Sequence, residues 1–257
     1  SPSVSNSRSP SLTDPLARAV AWTSFWEATR DAELPAQDYV ALVLAGLPSE
    51  TDMAAVSTLL AQAGNAALAF TAPELRDDLN VKLVAGLARL LKESEPGSDK
   101  QVLAAKALIA SVRSAEGVDL LKGWLYGEEV PEGLAIDTGM RWSITAALAK
   151  LGAIGHDEIS VELDRDNTSA GAESAAGAAA ALPDEESKAQ AWTLATGDAE
   201  VPNETHRAIC MGFWRYGQDE VLEPYPAAYL DLLGRISRRE GVWESRGYAA
   251  IGTALRW

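Results

Sequence analysis

Apolar residues along this chain recur at helical spacing from one end to the other. Leu75, Leu79, Leu83, Leu87 and Leu91 make one leucine stripe. Val102, Ala105, Ile109 and Val112 follow at spacings of three and four, and Met140, Ile144, Leu148 and Leu151 repeat the pattern. Such spacing puts a stripe on one helix face. No segment alternates with period two, so no strand is predicted.

Start and stop signals divide this pattern into helices. Asp14 caps a helix with Pro15 at its first position, running Leu16 to Arg30. Pro35 opens a second helix through Leu44, which Gly46-Leu47-Pro48 stops. Ser49 is expected to cap a third, with Asp52 three residues on. Pro73 opens the leucine-striped fourth, and Ser98 caps a fifth after Glu95-Pro96-Gly97. Further helices are expected at Ala115–Tyr126, after Asp137, around Asp157–Leu163, at Ala172–Leu182, at Asp184–Thr196 and, capped by Asn203, at Glu204–Tyr216. Two or three more run from Gln218 to the end. The expectation is all-α, an α/α superhelix of HEAT- or armadillo-like antiparallel helix pairs. No strict repeat period is visible.

Composition strengthens the helical reading. There are 46 Ala and 31 Leu against 15 Val and 8 Ile, so good helix formers far outnumber β-branched residues. Residues 1–13 are Ser/Pro-rich and read as a disordered linker or cloning remnant, with 14–257 a single helical domain. A net charge of −15 argues against nucleic acid. No apolar run reaches the ~18 residues of a membrane span, and the stretch Ser1 to Ser11, with no apolar core, does not read as a secretory signal. The single Cys210 allows no internal disulfide and fits a cytoplasmic protein. The sequons at Asn167 and Asn203 read as chance matches.

Chemistry is scarce. Only His156 and His206 are available, so no zinc site is expected, and neither a phosphate loop nor a Gly-x-Ser-x-Gly elbow occurs. His206 and Cys210 lie one turn apart, in a run where a buried structural thiol is the plainer reading. Asp137, Glu173 and Glu204 could supply a glycosidase-like carboxylate pair, but helix caps and first-turn charges explain them more simply. Glu128-Glu129 and Asp184-Glu185-Glu186 read as solvated helix ends. Arg18, Arg141, Arg207 and Arg215 stand out, since an arginine on so apolar a helix needs a partner or an open cleft. Internal ion pairs are the plain explanation. Arg141 and Arg207 are the candidates to contact a peptide.

Several strings resemble one family. They are Thr13-Asp14-Pro15-Leu16-Ala17-Arg18-Ala19, Arg30-Asp31-Ala32-Glu33-Leu34-Pro35, Glu95-Pro96-Gly97-Ser98-Asp99, Asn203-Glu204-Thr205-His206-Arg207-Ala208 and Gly217-Gln218-Asp219-Glu220-Val221. Together they resemble the C-terminal helical domain of actinobacterial aminopeptidase N, shared with the endoplasmic-reticulum aminopeptidases. The resemblance runs from Leu12 to Trp257. It implies a non-catalytic domain that covers the active-site cavity of a zinc aminopeptidase and gates or contacts peptide. It also implies a monomer whose partners are an upstream catalytic domain and the peptide substrate. The zinc belongs to that missing domain, because this chain lacks His-Glu-x-x-His. Two other readings stay open: a free-standing helical scaffold for protein partners, and an α-toroid glycan hydrolase.

Overall fold

The computed structural model describes residues 14–197 and 200–237. Among them are thirteen α-helices, two 3-10 turns and no strand. The expected linker, residues 1–13, and the helices expected beyond 237 lie outside the described residues. The chain divides into two compact units between Ser94 and Glu95.

The first unit contains α1 (Pro15–Arg30), α2 (Ala36–Gly46), α3 (Met53–Ala69) and α4 (Arg76–Glu93). Asp14 caps α1 as expected, accepting the Leu16 N–H at 3.0 Å. The third helix starts later than expected. Ser49 turns its hydroxyl back to the Gly46 carbonyl, and Asp52 takes the cap by accepting the Ala54 N–H at 2.9 Å. In α4 the leucine stripe is buried at Leu79, Leu83, Leu87 and Leu91, while Leu75, in the 3-10 turn before it, is half exposed. These leucines share the unit with Tyr39, Val43, Val56 and Leu59, all buried. Tyr39 donates its hydroxyl to Gln62 at 2.6 Å, and burial pushes its pKa up to about 12. Gly46 admits the Trp22 ring, and a Cβ there would sit 2.6 Å from Trp22 Cζ2.

The second unit runs from α5 (Asp99–Ser111) and α6 (Ala115–Tyr126) through α7 (Thr138–Lys150), α8 (His156–Arg165) and α9 (Ser169–Ala180). It continues with α10 (Glu185–Thr196), α11 (Asn203–Phe213), the short α12 (Asp219–Leu222) and α13 (Tyr225–Ser237). Ser98, Ser114, Asp137, Thr168 and Asp184 cap their helices through side-chain oxygens, each satisfying an N–H that the first turn leaves unpaired. Asn203 is the first residue of α11, not its cap. Pro202 supplies the extended entry, and the helix ends at Phe213.

Within this unit sequential helices pair, α6 on α7, α8 on α9 and α10 on α11, while α5, α7, α9 and α11 stack on one another. This local arrangement is compatible with stacked helical hairpins. Small residues set the spacing. A Cβ on Gly212 would lie well inside contact distance of the Gly177 carbonyl oxygen, so α9 and α11 touch backbone to backbone.

The stacked helices end on a ladder of polar side chains. Lys150, the last residue of α7, donates to the Ala110 carbonyl of α5 at 2.6 Å. Gln218 donates to the Lys150 and Ala181 carbonyls at 2.8 and 2.9 Å. Lys188 donates to Ala180 at the end of α9 and to Phe213 at the end of α11, at 2.9 and 2.8 Å. Three side chains thus satisfy carbonyls that four helix ends would leave unpaired. Cations also suit the negative end of each helix dipole.

Candidate functional site

Alanines on α9 leave a cleft between α8 and α10. It encloses about 310 Å³ over a floor of Ala172, Ala175, Ala176 and Ala179, walled by Ile159, Leu163, Leu194 and Ile209. That is the lower end of the volume of small-ligand sites, enough for one or two side chains. Its polar lining comes from the first turns of two helices. His156 opens α8 and Ser187 lies in the first turn of α10, with Nε2 and Oγ 2.9 Å apart. Asp184, the α10 cap, accepts the Ser187 N–H at 2.8 Å. Burial alone would raise the Asp184 carboxyl. The Ser187 N–H and hydroxyl, with the His156 and Lys188 charges, outweigh it and hold the carboxyl below its usual range.

A serine, a histidine and an aspartate therefore meet at one edge of the cleft. The order is not that of a hydrolytic triad, in which the imidazole stands between the carboxylate and the hydroxyl. Here the Ser187 hydroxyl stands between the imidazole and Asp184, so the group joins two helix starts.

The sequence-selected arginines have separate fates. Arg18 reaches the buried Glu50, with Nε–Oε2 at 3.3 Å. Burial would raise Glu50, but the Asp52 N–H, the Arg18 guanidinium and the Thr51 N–H together hold it low. Arg141 forms a two-pronged pair with the buried Glu162, at 2.7 Å for both bonds, and donates a third to the Leu125 carbonyl at 2.9 Å. Glu162 holds the guanidinium even more firmly protonated than usual. Arg207 is 70% exposed and meets only Glu204 at 3.5 Å, one turn away. Arg215 lies beyond α11 with its Nε buried and unpartnered.

The remaining candidates are accounted for locally. Asp137 caps α7 through the Met140 N–H at 2.8 Å. His206 is buried and donates Nε2–H to the Ala195 carbonyl at 2.8 Å, while Cys210 Sγ sits 3.9 Å from both ring nitrogens. Among the described residues no group of three or more His, Cys, Asp or Glu could hold a metal ion. With both imidazoles engaged, these residues do not fit a zinc centre. Also among the described residues, no helix is long and apolar enough to cross a membrane.

Sequence reasoning missed Lys188. It is fully buried, and its Nζ lies 5.4 Å from the Phe213 ring centroid, where Trp192, Phe213 and Tyr225 pack together. Burial and the Arg215 charge push its pKa down to about 7, with Asp184 pulling the other way. Glu162, Lys150 and Gln218 were missed too, since nothing local to those residues marks their partners.

Two comparisons with known proteins bear on this arrangement. The profile of the ERAP1-like C-terminal domain family matches residues 3–252. Aminopeptidase N of Streptomyces lividans is 39% identical over 237 residues, covering 92% of this chain and 27% of that protein. The chain thus spans only about a quarter of that relative's length.

Proposed function

This chain belongs to the ERAP1-like C-terminal domain family, and on that premise we propose that it is the non-catalytic helical part of a zinc-dependent aminopeptidase. In this reading it covers the active-site cavity and gates or contacts the peptide. The observation that carries it is the family match along nearly the whole chain, joined to a relative named aminopeptidase N of which the chain covers 27%. Among the described residues no group could hold a zinc ion, and the sequence carries no His-Glu-x-x-His; in this reading the metal and the hydrolytic chemistry belong to an upstream catalytic domain.

The cleft over α9 supports a peptide-contacting role, because its apolar floor and polar edge suit a side chain attached to a hydrogen-bonding backbone. Of the two arginines expected to meet peptide, Arg207 keeps its guanidinium in solvent and can bind a carboxylate without breaking a buried pair. Arg141 would first have to leave Glu162. The parent is taken as a monomeric cytoplasmic enzyme, consistent with one buried thiol and the acidic balance.

The test uses the parent polypeptide with and without this region. Removing it is expected to leave zinc content intact and to change the dependence of rate on peptide length. The isolated chain is expected to release no arylamine from aminoacyl-arylamides, with or without zinc. An unaltered length profile in a soluble, zinc-loaded truncation would overturn the gating role. Turnover by the isolated chain would overturn its non-catalytic assignment.

A further inference from the structure

The helix α1 is apolar on two faces, and this chain uses one of them. Trp22 and Trp26 turn into the first unit, against Gly46 and Tyr39, and Arg18 reaches the buried Glu50. On the other face Leu16, Ala19, Val20 and Thr23 stand at i, i+3, i+4 and i+7, the spacing of a core-facing stripe. Here that stripe faces solvent. Leu16 is 72% and Val20 59% exposed, and Ala19, Thr23 and the adjoining Ser24 are exposed as well. The hydroxyls on this face point no proton outward, because Thr23 donates to the Ala19 carbonyl and Ser24 to the Val20 carbonyl, both at 2.9 Å. No charge interrupts the face before Glu27, which pairs with Arg30 at 3.0 Å. Across α1, α2 and α3 the charged residues are Arg18, Glu27, Arg30 and Asp38, whereas α4 alone carries seven.

A helix that is apolar all round is ordinarily buried on both sides, and an exposed apolar patch depleted of charge marks an interaction surface. We propose that the Leu16–Ser24 face of α1 docks against the polypeptide upstream of this chain in its parent, on an apolar, uncharged surface of that polypeptide. The proposal rests on the reading of this chain as the helical part of a larger aminopeptidase. The matched region is 27% of the Streptomyces lividans relative, so a parent of that size has ample polypeptide to cover the face. Among the described helices α1 comes first and is nearest in sequence to that polypeptide. A second copy of this chain fits less well. Leu16 to Ser24 spans about 13 Å of helix, far too little to supply the roughly 800 Å² that each partner of a stable complex buries. A tethered partner needs less, because the linkage holds the two faces at high effective concentration. A lipid surface also fits less well, since helices that lie on membranes set free Lys or Arg beside the apolar face. Here both arginines of α1 are tied to carboxylates, and a chain of net charge −15 is repelled by anionic lipid.

Val20→Glu puts a charge in the middle of the face. Val81→Glu, at the 68% exposed Val81 of α4, is the matched control. Both are made in the parent polypeptide and in the 257-residue chain, with melting temperature and amide hydrogen exchange of α1 as readouts. In the parent, Val20→Glu is expected to lower the melting temperature by several degrees and to speed α1 exchange at least about tenfold, while Val81→Glu changes neither. In the 257-residue chain neither substitution should move the melting temperature by more than about a degree. A Val20→Glu parent that melts and exchanges like wild type would overturn the surface. So would an equal loss in the 257-residue chain, because the face would then be packed within it. Sedimentation of that chain is expected to show a monomer, and vesicles of phosphatidylglycerol and phosphatidylethanolamine are expected not to bind it. A dimer or a vesicle complex that Val20→Glu dissolves would assign the face to a second copy or to lipid and overturn the upstream partner. Docking and gating fail separately. Gating is read from the peptide-length profile of the truncated parent, and docking from the stability and exchange of the intact one.

Discussion

Lys188→Met isolates what the ladder contributes. Methionine is close to lysine in length and shape, so the space beside Phe213 stays filled while the ammonium is lost. Two bonds disappear, to Ala180 and Phe213 at 2.9 and 2.8 Å, and two buried carbonyls lose their donor. Each unsatisfied carbonyl costs roughly 1–3 kcal/mol, which sums to about 2–4 kcal/mol after partial relaxation. The loss must depend on pH. The folded-state pKa of Lys188 lies at about 7, below the ordinary 10.5, so the folded protein gives up this proton before the unfolded chain does. The Lys188 contribution to stability therefore rises with pH from about 7 towards 10.5, by about 1.4 kcal/mol per unit. Below about 7 the burial of the ammonium opposes folding in full. The variant lacks this contribution, while the similar one from Lys150 is common to both proteins and cancels in the comparison. Urea denaturation followed by far-ultraviolet circular dichroism should show Lys188→Met about 2–4 kcal/mol less stable at pH 9 and nearly equal to wild type at pH 6.5. A loss of equal size at both pH values would refute the argument, because it would mean that the carbonyls keep Lys188 charged throughout. No loss at pH 9 would mean that the ladder bonds add nothing.

Arg141→Met leaves the buried Glu162 without its guanidinium and should cost about 3–5 kcal/mol in chemical denaturation, whereas Arg207→Met, at an exposed pair, should scarcely move the midpoint. Gly212→Ala sets a Cβ against the Gly177 carbonyl and must part α9 from α11, lowering stability by about 1–3 kcal/mol in the same assay. Asp137→Ala removes the 2.8 Å cap on Met140 and should cost about 0.5–2 kcal/mol, most of it recovered by Asp137→Ser.

What could be read in the sequence was local, and what could not was long-range. Asp14, Ser98 and Asp137 were legible as caps because a cap joins a side chain to an N–H two or three residues on. Ser49 and Asp52 show the limit of that signal. Both are cap residues, and the choice fell to whichever could reach a free N–H from an extended backbone. Helix existence was legible for the same reason, since a leucine stripe records burial without naming the neighbour. The partner was out of reach wherever it lay far along the chain. Arg141 looked available because Glu162 is 21 residues away, and Gln218 looked unremarkable because the Lys150 carbonyl is 68 residues away. Lys188 is the sharpest case. It follows Asp184-Glu185-Glu186-Ser187, a run that reads as a solvated helix end, yet its side chain turns inward because two helices end above it with carbonyls that no local donor can reach. A lysine extends far enough to serve both, and its burial is tolerable only because both carbonyls are there. The residues that hold alternate helices in register are thus chosen by unsatisfied backbone groups, which no periodicity in the sequence records. Arg215 is the exception, since its Nε is buried and finds no acceptor, so backbone satisfaction, which accounts for Lys150, Gln218 and Lys188, does not account for it.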